Sequence, residues 1–356
     1  MAEIGCNVLN QNQIQARRAR RGDTPGVSPR RERGAALLAV MWLSAALAII
    51  AFSVANTVRG ETDRVSTAND GIKAYYLASG AIDRAALWVL WGQSIIGPDG
   101  ASPYYNRGVP YLTFTFPSGV ATVEVIPESA KLNINSARPE QIYLLLMQLG
   151  ADSGRAQTIT NAIVDWRTPA PGGTTSYDQA YLSAVPSFRA RHASLEEIEE
   201  LLLVRGMTPE LFHGSFVRKE NGHLIARPGL RDCVSVYGAT DRFDVNSAEP
   251  ALLASAGFSP AAVESLKEIR KRGAIRNLAQ IQGLAQMLGP AGTHLGLGGG
   301  SIFTLRATAR LRRQDGTFSD LRRSVAATVK FNGMGADPPY QTLRWYDNVW
   351  RTQTLQ

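Results

Sequence analysis

Few side chains in this sequence are placed for bond-making chemistry. The four histidines, His192, His213, His223 and His294, show no metal-binding spacing and read as surface or loop residues. The glycine-rich run at 296–301 precedes a strand rather than following one, so it fails as a dinucleotide loop and reads as a linker or turn. No G-x-S-x-G and no P-loop occurs. Two cysteines, Cys6 and Cys233, exclude a disulfide scaffold and a Cys-rich zinc module. The place with chemistry written into it is a junction: Arg30-Arg31-Glu32-Arg33-Gly34 abuts an uncharged apolar run. A glycine there lacks a Cβ and unwinds easily, so it suits a protease cutting at the edge of a membrane.

The elements around that junction give it meaning. Residues 1–34 hold seven arginines against three acids, a net charge of +4 of the chain's +8. Gly, Pro, Gln and Asn fill the rest, which reads as disordered. Residues 35–55 (AALLAVMWLSAALAIIAFSVA) carry no charge. A helix of that length covers roughly 31 Å, about the hydrocarbon thickness of a bilayer. The basic flank orients its N-terminal side to the cytoplasm. The run is longer than a cleavable signal's apolar region, so a retained anchor is expected.

Apolar or small residues then recur every seven positions, at Val58, Val65, Ile72, Ser79 and Ala86. A second row interleaves at Ala68, Tyr75, Ile82 and Val89. One helix from 35 to about 92 would span roughly 87 Å. The alternative is two helices broken at Gly60 or Gly71.

Beyond it, YLTFTF and VATVEVI around Pro117-Ser118-Gly119 predict a β-hairpin, and 302–311 with 321–331 predict a second. A fifth strand is expected at 233–237. Between the hairpins lies an internal repeat. Asn133-Ile134-Asn135-Ser136-Ala137-Arg138-Pro139 matches Asp244-Val245-Asn246-Ser247-Ala248-Glu249-Pro250 at an offset of 111. Leu195-x-x-Ile198-x-x-Leu201 matches Leu278-x-x-Ile281-x-x-Leu284 at an offset of 83. The difference, 28 residues, sizes an insertion in the first copy between Asp165 and Ser194. Asn-Ser-Ala-x-Pro is a helix start, so each copy predicts a small bundle of short helices, similar to helix-hairpin-helix or SAM-like folds.

The expected fold is α+β: a pilin-like long N-terminal helix on an antiparallel sheet, interrupted by a large duplicated all-α insertion. The expected division is a leader over 1–34 and a membrane-spanning part over 35–56. A discontinuous pilin-like domain takes 57–130, 214–242 and 300–332. The helical units take 131–213 and 243–299, and a tail 333–356.

The junction resembles a type IV prepilin-like signal. The segments RERGAALLAVMWLSAAL, AYYLASGAIDRAA, KLNINSA, IVDW, SLEEIEELLLVRGMTPELF and DVNSAEPALLAS, with Leu343-Arg344-Trp345, resemble the minor pseudopilin K family of type II secretion systems. The resemblance implies cleavage after Gly34 by a prepilin peptidase and N-methylation of Ala35, leaving 322 residues. It implies that the fifth mature position, Ala39, lacks the glutamate of most pseudopilins, as suits a subunit with none stacked above it. A carboxylate there would be costly in the bilayer.

The resemblance further implies a non-enzymatic subunit at the tip of a periplasmic pseudopilus, initiating or capping it during protein export. Its implied partners are other minor pseudopilins, the inner-membrane secretion platform, the prepilin peptidase and the lipid bilayer. The implied location is the bacterial inner membrane, single-pass, with the C-terminal part periplasmic. No cofactor is required. Family members bind calcium near the Asp-Trp pair, which nominates Asp165 and Asp178. Here Thr168, Ala170 and Thr175 stand where acids would be expected, so weak or no calcium binding is expected, with Asp165 serving as a cap or loop hydrogen-bonder. The competing expectation is a membrane-anchored DNA-uptake protein using the helix-hairpin-helix-like units. Arg270-Lys271-Arg272 and Arg276 would then meet phosphates. Equally frequent acids nearby argue against it, and no nucleic acid is expected.

Overall fold

The computed structural model describes residues 32–98, 100–218 and 222–349. The expected leader lies outside the described residues up to Arg31, as does the end of the tail from Trp350. The chain divides into two units inside its first helix, Met1–Val65 and Ser66–Gln356.

Helix α1 runs unbroken over Glu32–Ser94. Gly60 and Gly71 sit inside it with open space around them, so neither breaks it. Leucine, alanine and methionine carry its first turns, and the N–H···O=C ladder closes internally, as an apolar solvent requires. Every described side chain from Ala35 to Asn69 is exposed. It is a helix long and apolar enough to cross a membrane.

In the second unit, α1 lies on a five-stranded antiparallel sheet. The strands are β1 (Tyr111–Phe116), β2 (Gly119–Pro127), β9 (Ile302–Arg312), β10 (Phe318–Phe331) and β11 (Tyr340–Tyr346), in the order β1-β2-β9-β10-β11. Strands β3 to β8 fall between them in the chain. Both expected hairpins form, and pairing of β2 with β9 joins them. Ala74, Ala78, Ala81, Ala85 and Val89 of α1 are buried against Phe114, Val123, Leu305, Ala307 and Val325. Small residues on both sides bring backbone close to backbone. The buried face thus includes Ile82, Ala86 and Val89 of the expected rows and adds these alanines beside them. Val58, Val65 and Ile72 are 57 %, 68 % and 57 % exposed.

The fifth strand is not at 233–237. It is β11, from the segment expected as a tail, paired with β10 through a register shift at Thr328/Val329. Cys233 and Val234 belong instead to a second, helical core. The 214–242 segment, expected in the sheet domain, therefore differs from expectation. It forms a separate hairpin, β4 (Ser215–Arg218) with β5 (Leu224–Arg227), then α6 (Leu230–Cys233) and β6 (Val234–Ser235), which pairs with β3 (Leu132–Asn133). Buried apolar side chains at Leu230, Cys233 and Val234 decide the matter, because they fit the helical core.

That core collects α2 (Pro139–Gln148), α3 (Ser153–Arg167), α4 (Ser176–Leu182), α5 (Pro209–His213), α7 (Pro250–Ser255), α8 (Pro260–Arg272) and α9 (Ala285–Leu288). A two-residue parallel pair, β7 (Phe243–Asp244) with β8 (Leu295–Gly296), closes its second half.

Candidate functional site

The junction comes first. The backbone is helical through Gly34 and Ala35, so α1 begins on the leader side of the expected cut. Ala35 and Ala39 are exposed. Arg30 and Arg31 lie outside the described residues.

The helical segments hold two sets of matching bonds. Arg167, in the last turn of α3, donates to the carbonyls of Ile134 and Ala137. Arg270, in the last turn of α8, donates to those of Val245 and Ala248 at 2.7 and 2.8 Å. Asn135 bonds Leu195 reciprocally, Nδ2 to carbonyl at 2.9 Å and Oδ1 from N–H at 2.8 Å. Asn246 does the same with Ile275 at 3.0 and 2.7 Å. The Glu200 carboxylate accepts from the N–H groups of Glu196 and Glu197, and the Gln280 carbonyl from those of Arg276 and Asn277.

These bonds align Leu195 with Ile275, not with Leu278. The downstream offset is 80, and the extra residues in the first segment number 31 rather than 28. Apolar residues recur every three positions through Ile275, Leu278, Ile281 and Leu284, so a match by pattern alone is equally good one step later.

Offsets of 111 at Ile134/Val245, 103 at Arg167/Arg270 and 80 at Leu195/Ile275 put 8 of the 31 extra residues before Arg167 and 23 between Arg167 and Leu195. Asp165, in the last turn of α3, stands beside that second stretch, and Asp178 lies within it. Asp178 is 2 % exposed. Its Oδ2 accepts from Thr175 N at 2.9 Å and from His192 Nε2 at 2.8 Å, and its Oδ1 from Ala190 N at 3.2 Å. Asp165 Oδ2 accepts from Thr175 Oγ1 at 3.1 Å. Both oxygens of Asp178 and one oxygen of Asp165 thus accept from the protein's own donors. Among the described residues no group of three or more His, Cys, Asp or Glu could hold a metal ion. The donor set does not fit calcium, which wants several convergent oxygens.

His192 is the residue that sequence reasoning missed. It lies in a loop, as expected, but not on the surface: it keeps only 14 % of its side chain exposed and adopts a left-handed φ of 48°. Its Nδ1 lies 3.1 Å from the Asp165 carbonyl and its Nε2 2.8 Å from the Asp178 carboxylate. Both partners only accept. A neutral imidazole donates from one nitrogen, so this geometry calls for the imidazolium. The bond to Asp178 raises the His192 pKa above its ordinary value, against some opposition from burial. For Asp178 burial is the largest influence and acts upward. The bonds from Thr175, His192 and Ala190 outweigh it and hold the carboxyl below the usual range. No sequence signal marks a single histidine for this role.

The basic cluster expected to meet phosphates is partly consumed. Arg270 is spent on Val245 and Ala248, and Lys271 pairs with Glu268 at 2.6 Å. Where the second helical segment faces the sheet, a cavity of about 290 Å³ remains, lined by Glu124, Arg306, Asp232 and Glu249 among others. Arg306 pairs with Glu124. Burial, and then the Asp232 charge, push the Glu249 carboxyl up to about 7.

Residues 122–214 match the family described as type II secretion system (T2SS), protein K. The chain is 26% identical over 199 residues to "Type II secretion system protein K" of Klebsiella pneumoniae, covering 51% of this chain and 60% of that one. It is similar to the same degree to the protein of that name from Pectobacterium carotovorum subsp. carotovorum. It therefore spans about 60% of the length of the curated relatives it matches. Its fold matches a chain of the crystal structure of the GspK-GspI-GspJ complex from the enterotoxigenic Escherichia coli type 2 secretion system. The TM-score is 0.53 at 16% identity, covering 81% of this chain and all of that chain. The long helix on an antiparallel sheet is thus a shared fold. The chain therefore resembles type II secretion system protein K, in sequence where the family model matches at 122–214 and in fold over 81% of its length.

Proposed function

We propose that the chain is a non-enzymatic minor pseudopilin of a type II secretion system, which assembles with other minor pseudopilins at the tip of a periplasmic pseudopilus. The observation that carries this reading is one helix, α1, serving two environments. Its first half is apolar and exposed all round, and its second half is buried by alanines against the sheet. The exposed row of Val58, Val65 and Ile72 continues along it as an apolar strip suited to lateral packing against other helices.

In this reading a prepilin peptidase cuts after Gly34, Ala35 is methylated, and Ala39 leaves no intramembrane carboxylate. The leader is cytoplasmic, the helix sits in the inner membrane, and the sheet and helical segments are periplasmic. No metal or other cofactor is needed. The two helical segments are a duplicated unit, supported by the equivalent bonds of Arg167 and Arg270. They enlarge the subunit so that it caps the pilus rather than extends it.

The test is site-specific photo-crosslinking from Ile72 in membranes that contain the neighbouring prepilin-like subunits. Adducts of one subunit's mass, lost when Ile72 is moved to the buried face at Ala78, support the reading. No adduct from Ile72 refutes it.

A further inference from the structure

The sheet face turned away from α1 is divided in two. One end is covered by the helical segments: Thr304 and Arg306 line the cavity described above. The other end, at the β9–β10 hairpin, is left open by the described residues, with Arg312 and Arg322 exposed. Arg310 and Arg322 lie directly opposite each other across the strands, and Arg312 lies opposite Phe318. Alternation along the strands puts Arg310, Arg312 and Arg322 on the same, outward face. Like charges facing across a ladder are destabilising, so this arrangement is a cost to the fold.

Counter-charge among the described residues does not relieve it. Between residues 310 and 323 there are five arginines against Asp315 and Asp320. Arg313 takes Asp320 at 3.1 Å, and Asp315 bonds Thr317 within the turn. Among the described residues no ion pair reaches Arg310, Arg312 or Arg322. The guanidinium groups are nevertheless held in place. Arg310 and Arg312 lie 5.7 and 5.1 Å from the centre of the Phe318 ring, and Arg310 Nε donates to the Ser319 carbonyl at 3.0 Å. No described residue takes the Nη edges of Arg310, which suit planar, two-pronged contacts with oxyanions.

We propose that this open end of the sheet is a docking surface for an acidic segment of a partner protein, recognised through carboxylates. The charge is arginine throughout, which suits carboxylate forks better than diffuse attraction. No large exposed apolar side chain accompanies it between 302 and 331. A surface built to lie in a bilayer interface would carry them. The inference stands apart from the assembly reading above, because it rests on the sheet rather than on α1.

The test uses the full chain in detergent with fluorescent poly-L-glutamate, following anisotropy. Inorganic polyphosphate is the competing probe, and Arg272→Glu, exposed on α8, is the control of equal charge change. Arg322→Glu places an acid opposite Arg310, so its melting temperature should equal or exceed that of the unaltered protein. Its affinity for poly-glutamate should fall about tenfold, with an intermediate loss in Arg322→Gln and under about twofold in the control. A loss that Arg272→Glu matches overturns the proposal, and so does a loss confined to polyphosphate. A destabilised Arg322→Glu would leave Arg322→Gln to decide by the same criterion.

Discussion

Arg167 and Arg270 do the same work 103 residues apart: each reaches back from the last turn of a helix to the two carbonyls of an Asn-Ser-Ala start, at 134 and 137 or at 245 and 248. These carbonyls lie at a chain reversal where no backbone donor meets them. A guanidinium, with five donors in a rigid fork, satisfies both at once.

Removing either arginine should therefore cost far more than a surface residue. Arg167→Ala and Arg270→Ala are each expected to destabilise the helical segments by about 2–4 kcal/mol, because two buried acceptors lose their partners. Lysine can serve only part of the geometry and should restore less than half. Chemical denaturation of each variant checks this. A loss within about 0.5 kcal/mol would place the strength of the turn elsewhere.

The His192–Asp178 pair makes stability depend on pH from both sides. The raised His192 pKa gives stabilisation that is complete below the ordinary histidine value and lost as pH rises through the raised one. The lowered Asp178 pKa gives stabilisation present above the ordinary aspartate value and lost as pH falls through the lowered one. His192→Gln keeps one donor. It should lower stability near pH 6 by about 1–2 kcal/mol and flatten the alkaline slope. Melting temperatures from pH 4 to 9 would show this. An unchanged slope would mean the imidazole is neutral.

Glu249 acts in the opposite sense to an ordinary surface carboxylate. Its raised pKa means stabilisation that is complete below the ordinary glutamate value and lost as pH rises through about 7. Glu249→Gln should therefore stabilise the protein above pH 7, by up to about 3 kcal/mol, and leave it unaltered near pH 4. Destabilisation at pH 8 would show that the carboxylate is held by a charge partner in the cavity.

Calcium should leave the protein unmoved. Both Asp178 oxygens and one Asp165 oxygen already accept from Thr175, Ala190 and His192. Millimolar calcium or a chelator should shift the melting temperature by less than about 1 °C, since a ligand stabilises only through binding to the folded state. Micromolar affinity by calorimetric titration would contradict this.

Much of the scaffold was legible in residue pattern. Alternation marked β1, β2, β9 and β10, because one face of each packs on α1 while the other meets solvent or the helical segments. Strand β11 escaped notice because it is an edge strand after Pro338-Pro339, with no alternation of buried and exposed residues. The heptad rows caught Ile82, Ala86 and Val89 of the buried face of α1 but not Ala74, Ala78, Ala81 and Ala85, because alanine carries little hydrophobic signal although close approach to the sheet favours it. Arg167 and Arg270 look like ordinary cations at helix C-termini until the carbonyls they reach are seen. The two Asn-Ser-Ala starts match in sequence, but downstream a three-residue apolar period fits two registers, and the bonds of Asn135 to Leu195 and Asn246 to Ile275 select the earlier one.

Processing at Gly34 is tested most directly by the N-terminus of the chain in membranes that hold a prepilin peptidase. Intact-mass and N-terminal peptide analysis should find 322 residues beginning at N-methylated Ala35, with Gly34→Val left uncut. An uncut wild-type chain, or a cut on the far side of the apolar run between 55 and 66, would contradict it.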